Sequence, residues 1–197
     1  MKKGKLIVLY GINNLGKSTQ AKLLVEELTR REFSASYLKY PLYALEPSGP
    51  LLNDYLRKGN TFKFSAREFQ FLQVLNRTQY DATLRERVAA GEWVVAEDYV
   101  GTGIAWGMGA GVDRTLLETL NRHLVKEDLG ILFEGDRFLS GKEQNHRHET
   151  DDDLMARVKA AHVDLAAARG WQRLPAHGTI EEVQRSVWRI VAERFSL

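Results

Sequence analysis

Leu6-Ile7-Val8-Leu9-Tyr10, followed at once by Gly11-Ile12-Asn13-Asn14-Leu15-Gly16-Lys17-Ser18, decides the fold of this chain. The first five residues are an unbroken apolar run closed by glycine. Such a run suits a central parallel strand covered on both faces, because alternation is expected only where one face meets water. The next eight match G-x-x-x-x-G-K-[ST], with a strand before and a helix after, the context that this phosphate-binding loop requires. Its glycines let backbone N–H groups turn inward around phosphate oxygens. A helix starting near Gly16 points its positive dipole end at the same anion. Lys17 is placed to reach the β- and γ-phosphates, and Ser18 to put its hydroxyl on Mg²⁺. Gly11, Asn13, Asn14, Leu15, Gly16, Lys17, Ser18 and Thr19 are therefore the candidate ATP-binding residues. The motif by itself does not separate a kinase from an ATPase or a GTPase.

Outward from this loop, Ala21, Leu24, Val25 and Leu28 recur at i, i+3, i+4 and i+7, giving one apolar helical stripe. Ala35 to Tyr40 reads as a second strand ended by Pro41. A turn-rich piece, Glu46-Pro47-Ser48-Gly49-Pro50, leads into a helix carrying Leu51, Leu52, Tyr55 and Leu56. Ser65, with Glu68 three residues on, forms a capping box that opens a long helix to about Ala90, where Gly91 stops it. Trp93–Ala96, Leu129–Phe133 and Trp171–Leu174 are the expected third, fourth and fifth strands. Further helices are expected over 114–124, 152–169 and 180–195. This alternation predicts a five-stranded parallel sheet with helices on both faces, a three-layer α/β/α fold, in a single domain spanning residues 1–197. The polar, charge-crowded stretch from Asp136 to Asp153 is the candidate mobile lid.

Composition narrows the function. The chain has 197 residues, 44% hydrophobic and 27% charged, which is ordinary for a soluble globular protein. A formal net charge of +2 is too small to argue for nucleic acid or a membrane surface as partner. The absence of cysteine removes disulfides, thiolate metal sites and a cysteine nucleophile, and fits a cytoplasmic protein. The apolar run 6–10 is shorter than the roughly 7–15 residues of a signal-peptide core or the roughly 20 of a membrane span.

Further along, the sequence resembles the thymidylate-kinase family of P-loop nucleoside-monophosphate kinases. The resemblance begins at Gly16-Lys17-Ser18-Thr19-Gln20 and continues through Tyr40-Pro41, similar to a Phe-Pro element after the second strand. Asn76-Arg77, with Gln79 beyond, resembles the Asn/Asp-Arg pair of the family's long helix. Gly91-Glu92-Trp93-Val94-Val95-Ala96-Glu97-Asp98-Tyr99 resembles its G-x-W-V-[VI]-x-Asp-Arg-Tyr strand end. Ala105-Trp106 falls where an Ala-aromatic pair is usual. Glu149, Arg157-Val158 and Ile180-Glu181-Glu182-Val183 continue the likeness more loosely.

The resemblance implies transfer of the ATP γ-phosphoryl group to dTMP or a related nucleotide, with Mg²⁺, in a cytoplasmic homodimer. Such a reaction needs two anions held in line with their repulsion cancelled, and little covalent chemistry from the protein. Lys17, Arg77 and Arg147 are the expected catalytic residues. Tyr40, Gln73, Arg77, Asp98 and Trp106 would form the acceptor pocket, Ser18 with Glu97, or Asp98 in its place, the metal site, and Arg137, Lys142 and Arg147 the cations of the lid. Phe69, Phe71 and Leu72 give the long helix more apolar surface than one stripe needs, as a helix-paired dimer requires.

The departures from the family pattern fall on the acceptor side. Asp98 stands where an arginine is usual, and Leu42 and Tyr43 follow Tyr40-Pro41 where another arginine is expected. Gln73 replaces an aromatic base-stacking residue, and Asn13 replaces an acid in the phosphate loop. A paralogue that binds nucleotide without transfer, and a deoxynucleoside kinase, stay open beside the monophosphate kinase. Other conspicuous residues have plainer readings. His146, His148 and His162 lack metal-ligand spacing. Asp151, Asp152 and Asp153 suit the first turn of a helix capped by Thr150. The glycines between 101 and 111 lack the order of a dinucleotide loop and suit a loop or short helix near the acceptor.

Overall fold

The computed structural model describes residues 3–135 and 152–197. Five parallel strands, β1 (Leu6–Tyr10), β2 (Ala35–Lys39), β3 (Trp93–Glu97), β4 (Leu129–Glu134) and β5 (Gln172–Pro175), lie in the order β2-β3-β1-β4-β5. The three central strands are the apolar runs, and β1 and β3 are buried along their whole length. The edge strands β2 and β5 carry more polar residues, since each has a neighbour on one side alone.

Helix α1 (Lys17–Arg30) packs with α7 (Ile180–Phe195) on one face. The other layer holds α3 (Ala66–Ala89), α4 (Val100–Gly109), α5 (Arg114–Asn121) and α6 (Asp152–Arg169). This is the three-layer α/β/α arrangement expected. Ser65 caps α3 as its sequence predicts: the Glu68 amide donates to Ser65 Oγ at 3.2 Å, and the Ser65 amide donates to Glu68 Oε2 at 2.7 Å. A second capping box, Thr179 with Glu182, opens α7.

Several strand ends shift by one residue from the sequence reading, and two boundaries shift for a visible physical reason. The expected helix 114–124 ends at Asn121, because Leu124 N–H turns back to the Asn121 carbonyl and residues 122–128 run as a loop toward β4. The fifth strand begins at Gln172, not Trp171. The Trp171 amide is spent on the Ala166 carbonyl, and its ring stacks on Tyr10 with centroids 3.9 Å apart. The glycine-rich stretch after Tyr99 is a helix, and its glycines let neighbours close in. A Cβ on Gly101 would stand 2.3 Å from the Trp171 ring.

Helix α2 (Ser48–Arg57) lies over the start of α3, joined by a separate small core of Leu52, Tyr55, Leu56, Phe69 and Leu72. Tyr55 and Phe69 stack at 3.8 Å. This bracket matters for function because it carries the end of α2 to the rim of the cleft. Of the three residues read as surplus apolar surface on α3, Phe69 and Leu72 are spent on this core and Phe71 is exposed, at 44%, with Leu75 beside it at 43%.

Candidate active site

Parallel α/β sheets bind ligands at the carboxyl ends of their strands, where the connections part to opposite sides. Here β1 lies between β3 and β4, and the loop after β1 begins a cleft of about 300 Å³. Residues 13–19 of the phosphate loop form one wall. Tyr40, Gln73, Arg77 and Trp106 line the remainder, with Glu97 and Asp98 between the two. The donor and acceptor residues expected from sequence thus share one cavity. Gly11 sits just behind it: its φ is +131°, and an added Cβ would lie 2.7 Å from the Phe133 carbonyl oxygen.

Gly16 takes the left-handed conformation, φ 78°, at the N-cap of α1. Lys17, the first residue of the helix, is 4% exposed. Its ammonium donates to the carbonyls of Gly11 at 2.9 Å and Ile12 at 2.7 Å and lies 3.7 Å from Asp98 Oδ1. It is held over the loop by groups that a phosphate can replace.

Glu97 ends β3 and is also buried. It accepts hydrogen bonds from the Tyr37 hydroxyl and from Lys39 Nζ, the latter at 3.0 Å. Burial opposes its ionisation, but the charges of Lys39 and Lys17 and the hydroxyls of Ser18 and Tyr37 outweigh that and hold its carboxyl below the usual range. Ser18 and Glu97, the two expected metal residues, therefore stand together, with an ionised carboxylate beside a hydroxyl. This donor set fits a hard, oxygen-preferring cation such as Mg²⁺. Asp98 adopts φ 59° and accepts the Thr102 hydroxyl at 3.0 Å. Burial and the neighbouring Glu97 charge push its carboxyl up, against the pull of Lys17.

Arg77 is the anomaly of the site. It is 2% exposed, and among the described residues no carboxylate comes within ion-pair distance of it. One hydrogen bond is seen, from Nη1 to Asn121 Oδ1 at 2.8 Å. Burial lowers its pKa to about 10, so the guanidinium is still charged at neutral pH. Gly103 makes room for it: a Cβ there would lie 2.0 Å from Nη2. Asn76, the preceding residue, has another task. It accepts the Leu42 amide at 2.8 Å and donates to the Leu42 carbonyl at 3.0 Å and to Ser48 Oγ at 2.9 Å, which pins the turn after β2 to α3.

Two cations that the sequence reading did not single out line the same cleft, Lys39 at the end of β2 and Arg57 in the last turn of α2. Arg57 lies over the Tyr43 ring, 4.5 Å from its centroid. A basic residue ending a parallel strand beside a phosphate loop was the available signal for Lys39. Arg57 carried none, since its place depends on how α2 folds over α3. Trp106 lines the cleft and belongs to the core at once. The expected lid cations Arg137, Lys142 and Arg147, with His146, His148 and Thr150, lie outside the described residues. His162 is buried in α6, and among the described residues no group of His and acidic side chains could hold a metal.

An α/β sheet whose first strand feeds a phosphate loop, with a buried arginine further along the same cleft, defines a P-loop nucleotide-binding protein built for two anions. Its family follows from comparison. The model of the family described as thymidylate kinase matches residues 9–187. The chain belongs to that family. It is 29% identical to the thymidylate kinase of Synechococcus sp. (strain RCC307), over 99% of each chain. It is 28% identical to that of Plasmodium falciparum, over 98% of this chain and 91% of the relative. The solved structure of thymidylate kinase from Candida albicans shares the fold, with a TM-score of 0.79 at 22% identity, over 97% of this chain and 92% of that one.

Proposed function

We propose that the protein transfers the γ-phosphoryl group of ATP, with Mg²⁺, to the phosphate of dTMP or a closely related nucleoside monophosphate. The observation that carries this reading is Arg77, a buried guanidinium without a counter-charge among the described residues, in the same cleft as Lys17. An unpaired buried charge costs several kcal/mol unless something offsets it, and a bound phosphate is the group that fits.

The roles then follow from position. Backbone amides of residues 13–19, with Lys17, hold the ATP phosphates, and Lys17 leaves the Gly11 and Ile12 carbonyls to do so. Ser18 and Glu97 would hold Mg²⁺, which would supply positive charge to offset that of the phosphates. Arg77 holds the acceptor phosphate in line, helped by Lys39 and Arg57, which stand in for the two arginines missing from the motif positions. Tyr40, Gln73 and Trp106 enclose the sugar and base. Catalysis rests on holding the anions and cancelling their repulsion. Arg77 and Arg57 in the cleft, with Lys39 beside them on Glu97, favour a monophosphate over an uncharged nucleoside. The exposed apolar face of α3 at Phe71 and Leu75 supports a homodimer, and the reading places the protein in the cytoplasm.

The test is ADP release with ATP and Mg²⁺ against a panel of nucleoside monophosphates and nucleosides, beside a Lys17→Ala control. Lys17-dependent turnover of dTMP or another monophosphate is the expected result. Turnover of nucleosides alone, or none, would sink the proposal.

A further inference from the structure

At the other end of the sheet, where β4 and β5 begin, the fold forms a second pocket of about 690 Å³. Buried Leu124, Leu129 and Trp171 give it an apolar floor. Exposed Arg122, Lys126, Arg169 and Arg194 line it with positive charge. Three acids line it too, each tied to a neighbouring group. Glu118 pairs with Arg114 at 2.9 Å, Glu127 accepts the Trp171 indole N–H at 2.8 Å, and Asp128 accepts the Leu6 amide at 2.9 Å. Among the described residues, the side chains of Arg122, Lys126 and Arg169 have neither a hydrogen-bond nor an ion-pair partner. Arg194 reaches the Asp128 carbonyl, at 3.3 Å from Nη2. Four cations against three acids leave the lining net positive.

One wall of this pocket is the loop 122–128, and that loop hangs from the floor of the acceptor site. Asn121, at its start, lines the pocket and accepts the Arg77 guanidinium. Tyr99, which lines the cleft above, donates its hydroxyl to the Val125 carbonyl at 3.1 Å. The Val125 amide in turn donates to Asp81 of α3 at 2.9 Å. The two pockets thus share a wall of hydrogen-bonded groups.

We propose that this second pocket binds a phosphorylated small molecule of nucleotide size, distinct from donor and acceptor, and that its occupancy is coupled to Arg77 through Asn121. A volume of this order is that of ordinary small-molecule sites, which run from about 300 to 1,000 Å³. Guanidinium groups grip phosphate in pairs of parallel hydrogen bonds, and the apolar floor takes the uncharged part of the ligand. Drawing residues 122–128 toward a ligand shifts Asn121, and with it the one hydrogen-bond partner of the acceptor arginine. The coupling is reciprocal, so an acceptor bound at Arg77 alters affinity below by the same factor.

Calorimetric titration of the Lys17→Ala protein with sodium tripolyphosphate tests the site with the phosphate loop disabled. Two saturable sites are expected, one in the cleft of Arg77 and one here, and the exposed double change Arg122→Glu with Lys126→Glu weakens the second at least tenfold while sparing the first. No second site, or equal affinity at it in the charge-reversed protein, overturns the proposal. For the coupling, dTMP binding to the Lys17→Ala protein is measured with and without saturating tripolyphosphate. A shift in Kd at least threefold different from that of the charge-reversed protein is expected, a difference abolished by Asn121→Ala, and equal shifts overturn the link. This second arm rests on the acceptor reading above and the first does not, so the two failures are distinguishable.

Discussion

Arg77 of α3 donates Nη1–H to Asn121 Oδ1 at 2.8 Å, across the gap between α3 and the end of α5. Asn121 is itself buried and fixed by donating Nδ2–H to the Leu117 carbonyl at 2.8 Å. The amide therefore orients the guanidinium without neutralising it. Asn121→Ala should raise the acceptor KM about 3- to 10-fold and change kcat little, since a hydrogen bond to a charged group is worth about 1.5–3 kcal/mol at most. Arg77→Ala removes the charge itself and should cost about 100-fold or more in kcat/KM. Steady-state kinetics with the acceptor varied checks both. A fall in kcat with unchanged KM in Asn121→Ala would count against a positioning role.

Gly103 offers a separation of activity from stability. Alanine is the better helix residue by about 1 kcal/mol. Its Cβ, however, would lie 2.0 Å from Arg77 Nη2, so the guanidinium has to move. Gly103→Ala should keep its melting temperature within a few degrees of the parent and lose acceptor turnover nearly as far as Arg77→Ala. Calorimetry beside the kinetic assay decides it. Full activity would mean that Arg77 is not held where acceptor binding needs it.

Asp98 places a carboxylate where the acceptor phosphate is expected, in a residue whose φ of 59° asparagine also tolerates. A like charge about 4 Å away in a water-filled cleft is worth about 1 kcal/mol, at the dielectric of bulk water. Asp98→Asn should therefore lower the monophosphate KM about fivefold. ATP binding should be kept, because the change leaves Lys17 and the amides of residues 13–19 in place. An unchanged or raised KM would instead assign Asp98 a positive part in the chemistry.

The phosphate loop, the sheet and the α3 cap were legible because each is a local pattern whose physics acts within a few residues. Leu6–Tyr10 is buried end to end, and Ser65 meets Glu68 one helical turn away. The acceptor side was legible only in part. Arg77 was marked by its motif, but nothing local says that α3 buries it, that Gly103 admits it or that Asn121 holds it, since these partners lie 26 and 44 residues on. Lys39 and Arg57 went unread for the same reason. Phe69 and Leu72, read as surplus apolar surface, are buried instead, because α2 folds over the start of α3, which nothing local announces. Glu97 was read as a metal carboxylate from its strand-end position, and its ties to Tyr37 and Lys39 across the β2–β3 pair could not be seen without the register of those strands.

His162 sets an acid limit on stability. It lies in α6 behind the phosphate loop, 1% exposed, with Nδ1 against the Val158 carbonyl at 3.0 Å. Burial lowers its pKa from 6.5 to about 4, against a smaller upward pull from that carbonyl. The folded state therefore keeps the imidazole neutral where the unfolded chain takes up a proton. The stability it contributes is complete above pH 6.5 and is lost as the pH falls from there through about 4. By proton linkage the loss reaches about 2 kcal/mol at pH 5. Urea unfolding at pH 7.5 and pH 5.0 should show His162→Leu losing about 2 kcal/mol less than the parent between the two, with the same dependence from all other groups. Parallel losses in the two proteins would mean that His162 takes up its proton in the folded state, and that α6 opens at that point more readily than its packing implies.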